Sequence, residues 1–160
     1  MNPAQVVLTD IEESPFAGMF FSDQQVRSLG EGLLDHSLPL EDWTYAAHCA
    51  AAIYFTLERP ELDLPRRMPV IIRSYNIAKG VRNTGTGGHH ETLTQLCLKT
   101  IAQFLSVLGD GMSLYEIVNF FIRSPFGKLD YFLMFYSRDQ LFSPKARRQF
   151  VEPDIRPFPA

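Results

Sequence analysis

The segment Asn83-Thr-Gly-Thr-Gly-Gly-His89-His90-Glu91-Thr92-Leu93-Thr94 gathers two of the four histidines and three of the ten glycines at the mouth of a periodic apolar pattern. Imidazole and carboxylate groups move protons near neutral pH and suit zinc, iron or manganese. His89, His90 and Glu91, with His48 arriving from elsewhere, are therefore the residues whose types could do chemistry. Adjacent residues on a helix point about 100° apart, so at most two of the three can face one ligand. His90 shares a helical stripe with Thr94, Cys97 and Ile101 and is expected to turn inward towards His48, leaving His89 at the rim. The expected catalytic and metal-ligating set is His48, His90 and Glu91, and the cofactor these donors suit is a divalent transition metal.

A second chemistry is anion binding. Glycines such as Gly87 and Gly88 reach backbone conformations closed to other residues, and they precede a helix whose first amides have no partner inside it. Between Asp63 and Glu91 there is no acid, whereas Arg66, Arg67, Arg73, Lys79 and Arg82 all occur. A small polar or anionic molecule is the expected partner, met by Arg73, Asn76, Tyr45, Gly87, Gly88 and His89. The segment is neither a Walker loop nor a dinucleotide fingerprint, and Thr94 stands where a zinc protease needs its second histidine. No nucleophile elbow, paired catalytic acids or Cys-His arrangement stands out. Three readings stay open: a metal site, an anion site without metal, and hydrogen-bonded core histidines with Glu91 complementing the helix dipole.

The elements that must position these groups are helices. Ser22 with Gln25 opens one whose apolar side carries Val26, Leu29, Leu33 and Leu34, weakened by Gly30 and Gly32. Residues 41–58 follow, apolar nearly all round and rich in alanine, which predicts a central, enclosed helix that buries His48. A third helix ends at Gly80, and a fourth over 89–108 has the clearest stripe of the chain. Ser113 with Glu116, Ser124-Pro125 and Ser143-Pro144 open three more, and the tail from Val151 is extended by its prolines. The expected fold is a compact all-α single domain of six or seven helices over residues 22–160, with the second and fourth central. Residues 1–21 are expected to form an N-terminal arm that packs through Phe16, Phe20 and Phe21.

Composition bounds the partners. With 160 residues, 46% of them apolar and thirteen phenylalanines, the chain can build a core without disulfide or metal. A net charge of -3 argues against a nucleic-acid footprint. No stretch is long and apolar enough to span a bilayer and no basic leader precedes an apolar run, so no membrane partner and a cytoplasmic location are expected. Cys49 and Cys97 lack metal-like or redox-like spacing and read as buried thiols. The run Tyr131 to Tyr136 suits a core or a homodimer face, and a non-catalytic protein-interaction module working through that run is the alternative function.

Several motifs taken together resemble one group. They are Trp43-Thr44 with Ala47-His48, Arg73 with Tyr75-Asn76, Gly80-Val81 before Asn83-Thr84, His90-Glu91-Thr92-Leu93-Thr94, Tyr136-Ser137-Arg138, Ser143 with Ala146-Arg147, and Val151-Glu-Pro-Asp154. Over roughly residues 25 to 158 the chain resembles a group of small bacterial all-helical proteins to which no reaction is assigned. The resemblance implies a helical fold and a pocket near His48, Asn76, His90 and Glu91. That group carries histidine in place of Tyr45 and tyrosine in place of His89, which counts against a ligand role for His89.

Overall fold

The computed structural model describes residues 19–159, which form eight α-helices and no β-strand. Ser22 caps α1 (Asp23–Asp35) by accepting the Gln25 amide at 3.1 Å. The helix α2 (Tyr45–Glu58) starts later than its apolar pattern suggests, because Leu40–Asp42 is a separate 3-10 turn and Thr44 takes the cap position. Nine of its fourteen residues are buried and it touches all four other long helices, which makes it the axle of the main core. Those helices are α1, α3 (Leu64–Ala78), α4 (Glu91–Val107) and α5 (Leu114–Arg123). Alanines at 46, 47, 50, 51 and 52 allow this close approach from every side.

Three short helices follow, α6 (Leu129–Phe132), α7 (Arg138–Leu141) and α8 (Pro144–Arg148); the first and last answer to the starts at Ser124-Pro125 and Ser143-Pro144, and α7 takes the count beyond the expected six or seven. Ser137 and Ser143 start the last two through their hydroxyls, but helices of four or five residues leave no periodicity to read. They wrap a second core of Leu96, Phe132, Phe135, Tyr136, Leu141, Ala146 and Val151. The helix α4 joins the two cores, since Ile101 and Phe104 enter the first and Leu96 enters the second. The aromatic run 131–136 is spent here rather than on a surface: Phe132, Phe135 and Tyr136 are buried, and Phe158 packs edge-on against Tyr131 and Phe135.

Of the expected N-terminal arm, residues 1–18, including Phe16, lie outside the described residues. Phe20 is buried and held by the Asn119 amide at 2.9 and 2.8 Å, while Phe21 stands in solvent. No helix among the described residues is long and apolar enough to cross a membrane.

Candidate functional site

The glycine-rich segment is built from its own side chains. Thr84 Oγ1 accepts the amides of Thr86 and Gly87, and Asn83 Oδ1 accepts the His89 amide at 3.1 Å. Asn76 Nδ2 donates to the same Asn83 oxygen at 2.9 Å, tying the segment to α3. Gly88 is required where it stands: its φ is +76° and a Cβ there would meet Arg82 O at 2.5 Å and Asn83 Oδ1 at 2.7 Å. The expectation that Asn76 and Gly87 meet a ligand is therefore corrected. Asn76 Nδ2 and the Gly87 backbone hold the loop, and the amides of Thr86, Gly87 and His89 are taken by neighbouring oxygens.

His90 is the largest departure. It is not on the helical stripe at all but is the N-cap of α4, in an extended conformation, with Nδ1 accepting the Leu93 amide at 3.1 Å. Its Nε2 donates to Leu141 O at 2.9 Å. Both ring nitrogens are thus used, and this pattern assigns the neutral Nε2–H tautomer. Burial, helped by the charge of Arg147, lowers its pKa to about 4. The stripe argument assumed that the helix begins at His89, whereas it begins at Glu91, so the side chain points to α7 and not towards His48. His90 holds two elements together and is withdrawn from the catalytic and metal sets.

His89 takes the place expected of His90. It is 4% exposed rather than a rim residue, and its Nε2 lies 2.8 Å from Glu91 Oε2. Burial works against ionisation of Glu91, but hydrogen bonds from His89 and Gln95 and the charge of Arg73 hold its carboxyl below the usual range. An ionised carboxylate only accepts, so His89 Nε2 must carry the proton and Nδ1 must be the bare lone pair. That Nδ1 is buried and has no hydrogen-bond partner. Burial lowers the His89 pKa, the Glu91 bond opposes the shift, and Arg73 and Arg147 reinforce it.

His48 repeats the arrangement. Its Nδ1 donates to Thr44 O at 2.7 Å, and its ring stacks on Trp43 with centroids 3.6 Å apart. Burial lowers its pKa to about 4 against the pull of the Thr44 carbonyl, and the neighbouring His89 lowers it further. His89 is thus near enough for its charge to act on His48, which the first turn of α2 carries. Arg73 reaches Glu91 Oε2 at 3.7 Å. Tyr45, expected beside the ligand, instead donates to Gly127 O at 2.5 Å and borders Cys49 and Cys97. Both cysteines are free thiols, and burial pushes Cys49 up to about 12.

Arg147 was not foreseen. It sits in the basic run Lys145, Arg147 and Arg148, and the short α8 turns it inward to 8% exposure. Its Nη1 donates to Gly88 O at 3.0 Å. Among the described residues no three His, Cys, Asp or Glu side chains gather as a metal-ligand set, so His48, His90 and Glu91 do not form the expected centre. An open hollow of about 430 Å³ beside Glu61, Asp63, Arg66, Arg67 and Val70 has no histidine in its wall. Comparisons of the chain with models of known families, with curated proteins and with solved structures found no match.

Proposed function

We propose that the chain binds a small polar or anionic molecule at His89, whose imidazole serves as hydrogen-bond acceptor and general base. One observation carries this reading: Nδ1 is buried without a partner while Nε2 is fixed by the Glu91 carboxylate. Leaving a buried polar atom unpaired costs about 1–3 kcal/mol, so such an atom calls for an explanation, and a ligand that donates to it is the simplest. A depressed pKa keeps the ring neutral at pH 7, and Glu91 would stabilise the imidazolium formed when it takes a proton. Geometry and charge thus suit proton abstraction without requiring it.

A divalent metal is the second reading. His48 and His89 each give one ring N–H to an oxygen, which leaves the other nitrogen a lone pair, the tautomer that metal-bound histidines adopt. The cations Arg73 and Arg147 beside His89 oppose it. Elemental analysis of the wild type and of a His48→Ala, His89→Ala double variant separates the two, because only a metal centre loses a near-stoichiometric metal.

The first reading is tested by denaturing the purified protein and identifying released small molecules by mass spectrometry. A molecule present with the wild type and missing from a folded His89→Ala variant supports it. Equal yields from both proteins overturn it, as does an empty wild type whose His89 ring-nitrogen resonances stay unmoved by a deproteinised cell extract.

A further inference from the structure

We infer that the ligand of this site is a small hydroxycarboxylate, its carboxylate facing Arg147 and its hydroxyl donating to His89 Nδ1. The inference rests on the reading of His89 as the binding centre. Arg147 is a buried guanidinium that makes one hydrogen bond, to the Gly88 carbonyl, and no described carboxylate pairs with it. An arginine carries five donors and keeps its charge, so most of its binding capacity is unspent, and a buried charge without a counterion is expensive.

The surroundings add positive charge. Arg73 stands at the Glu91 carboxylate, and Arg148 lies along the loop, its Nη1 2.9 Å from where a Cβ on Gly85 would be. Glu91 is the one acid that acts on His89, and it is already engaged by His89, Gln95 and Arg73. The two guanidinium groups that act on His89, Arg73 and Arg147, beside one occupied carboxylate favour an anion and disfavour an ammonium group.

His89 decides which anion. Its bare Nδ1 can only accept, so the ligand must present a donor beside its charge. A phosphate monoester in its dianionic form, the main one at neutral pH, offers none on its phosphoryl group. The amides of Thr86, Gly87 and His89, which would cradle a phosphate, are bonded within the loop. A hydroxyl next to a carboxylate meets both demands.

Glycolate, acetate and glycolamide test this, read by the His89 ring resonances and by Tm. Glycolate is expected to move the resonances and raise Tm. Acetate, which leaves the buried Nδ1 unpaired, and glycolamide, which loses a charge-assisted hydrogen bond to Arg147, are each expected to bind at least about tenfold more weakly. Arg147→Gln should abolish the preference for glycolate over glycolamide, Arg147→Lys should keep part of it, and His89→Phe should abolish the preference over acetate. Equal binding of glycolate and glycolamide by the wild type overturns the carboxylate while leaving the His89 site intact. If none of the three compounds moves the His89 resonances, the hydroxycarboxylate is overturned, while the reading of His89 as a binding centre stands or falls by the molecule released from the wild type.

Discussion

Two adjacent histidines divide the work between structure and chemistry. His90 spends both nitrogens on the protein, capping α4 and reaching the Leu141 carbonyl, whereas His89 spends one and leaves the other bare. The two should respond oppositely to substitution. His90→Ala removes a cap and orphans the buried Leu141 carbonyl, for a loss of about 2–4 kcal/mol when the two effects add. Urea titration reads that loss; a value within 0.5 kcal/mol of wild type, the scatter of ordinary surface substitutions at about that size, would contradict the role given to His90. The types and spacing of these residues were legible in the sequence, as was the segment that holds them. Which of the two imidazoles stays open was not, because it depends on whether the helix starts at 89 or at 91, and a boundary is the least determined property of a periodic pattern.

At the scale of elements, the glycines of α1 show why propensity alone misleads. Gly30 weakens a helix by about 1 kcal/mol relative to alanine, yet a Cβ there would stand 2.4 Å from the Tyr54 ring of α2. Overpacking costs about 1–3 kcal/mol, so it outweighs the helical gain and Gly30→Ala should lower Tm. Gly109 is the counterpart: nothing lies within 4 Å of its Cβ position and its φ is unexceptional, so Gly109→Ala should raise stability by about 0.4–1 kcal/mol. Differential scanning calorimetry of both variants checks the pair, and opposite signs are the decisive result. The amphipathic pattern placed α1 through α5 to within a few residues, since each buries a stripe against α2 or α4. The four-residue helix α7 escaped it, being too short to repeat, and α6 is shorter than the face from Leu129 to Tyr136 suggests.

At the scale of the whole molecule, the motifs that link distant parts of the chain fasten the C-terminal third to α4. Thr92 Oγ1 donates to Ala146 O and Gln149 O at 2.7 and 3.0 Å and accepts the Val151 amide at 3.2 Å. Tyr136 donates to Val151 O at 2.8 Å, and Asp154 accepts both the amide and the hydroxyl of Ser137. Thr92→Val keeps the shape and removes these bonds, so amide exchange over 144–151 should accelerate while that of α2 does not. Acid should destabilise the fold as well. Unfolded imidazoles take up protons near 6.5, but folded His90 and His48 resist until about 4. The unfolded chain therefore binds more protons between those values, and stability that is complete above about 6.5 is lost as the pH falls towards 4. His90 alone contributes on the order of 3 kcal/mol to that slope, so a melting series from pH 7 to pH 4 should be visibly flatter in a folded His90→Gln variant.

The sequence by itself determined an all-helical chain, an enclosed alanine-rich helix at its centre, and the histidine segment as the place where unusual chemistry concentrates. Local periodicity, capping residues and glycine placement suffice for that, because they act over a few neighbouring positions. Only the tertiary structure decided that His90 is a cap, that Asn76 and Tyr45 are anchors, and that Arg147 stands beside His89. Each of those outcomes depends on a partner supplied from another part of the chain: Leu141 for His90, Gly127 for Tyr45, Gly88 for Arg147. A buried polar side chain is directed by whichever distant group completes its hydrogen bonds, and that group is chosen by packing rather than by spacing.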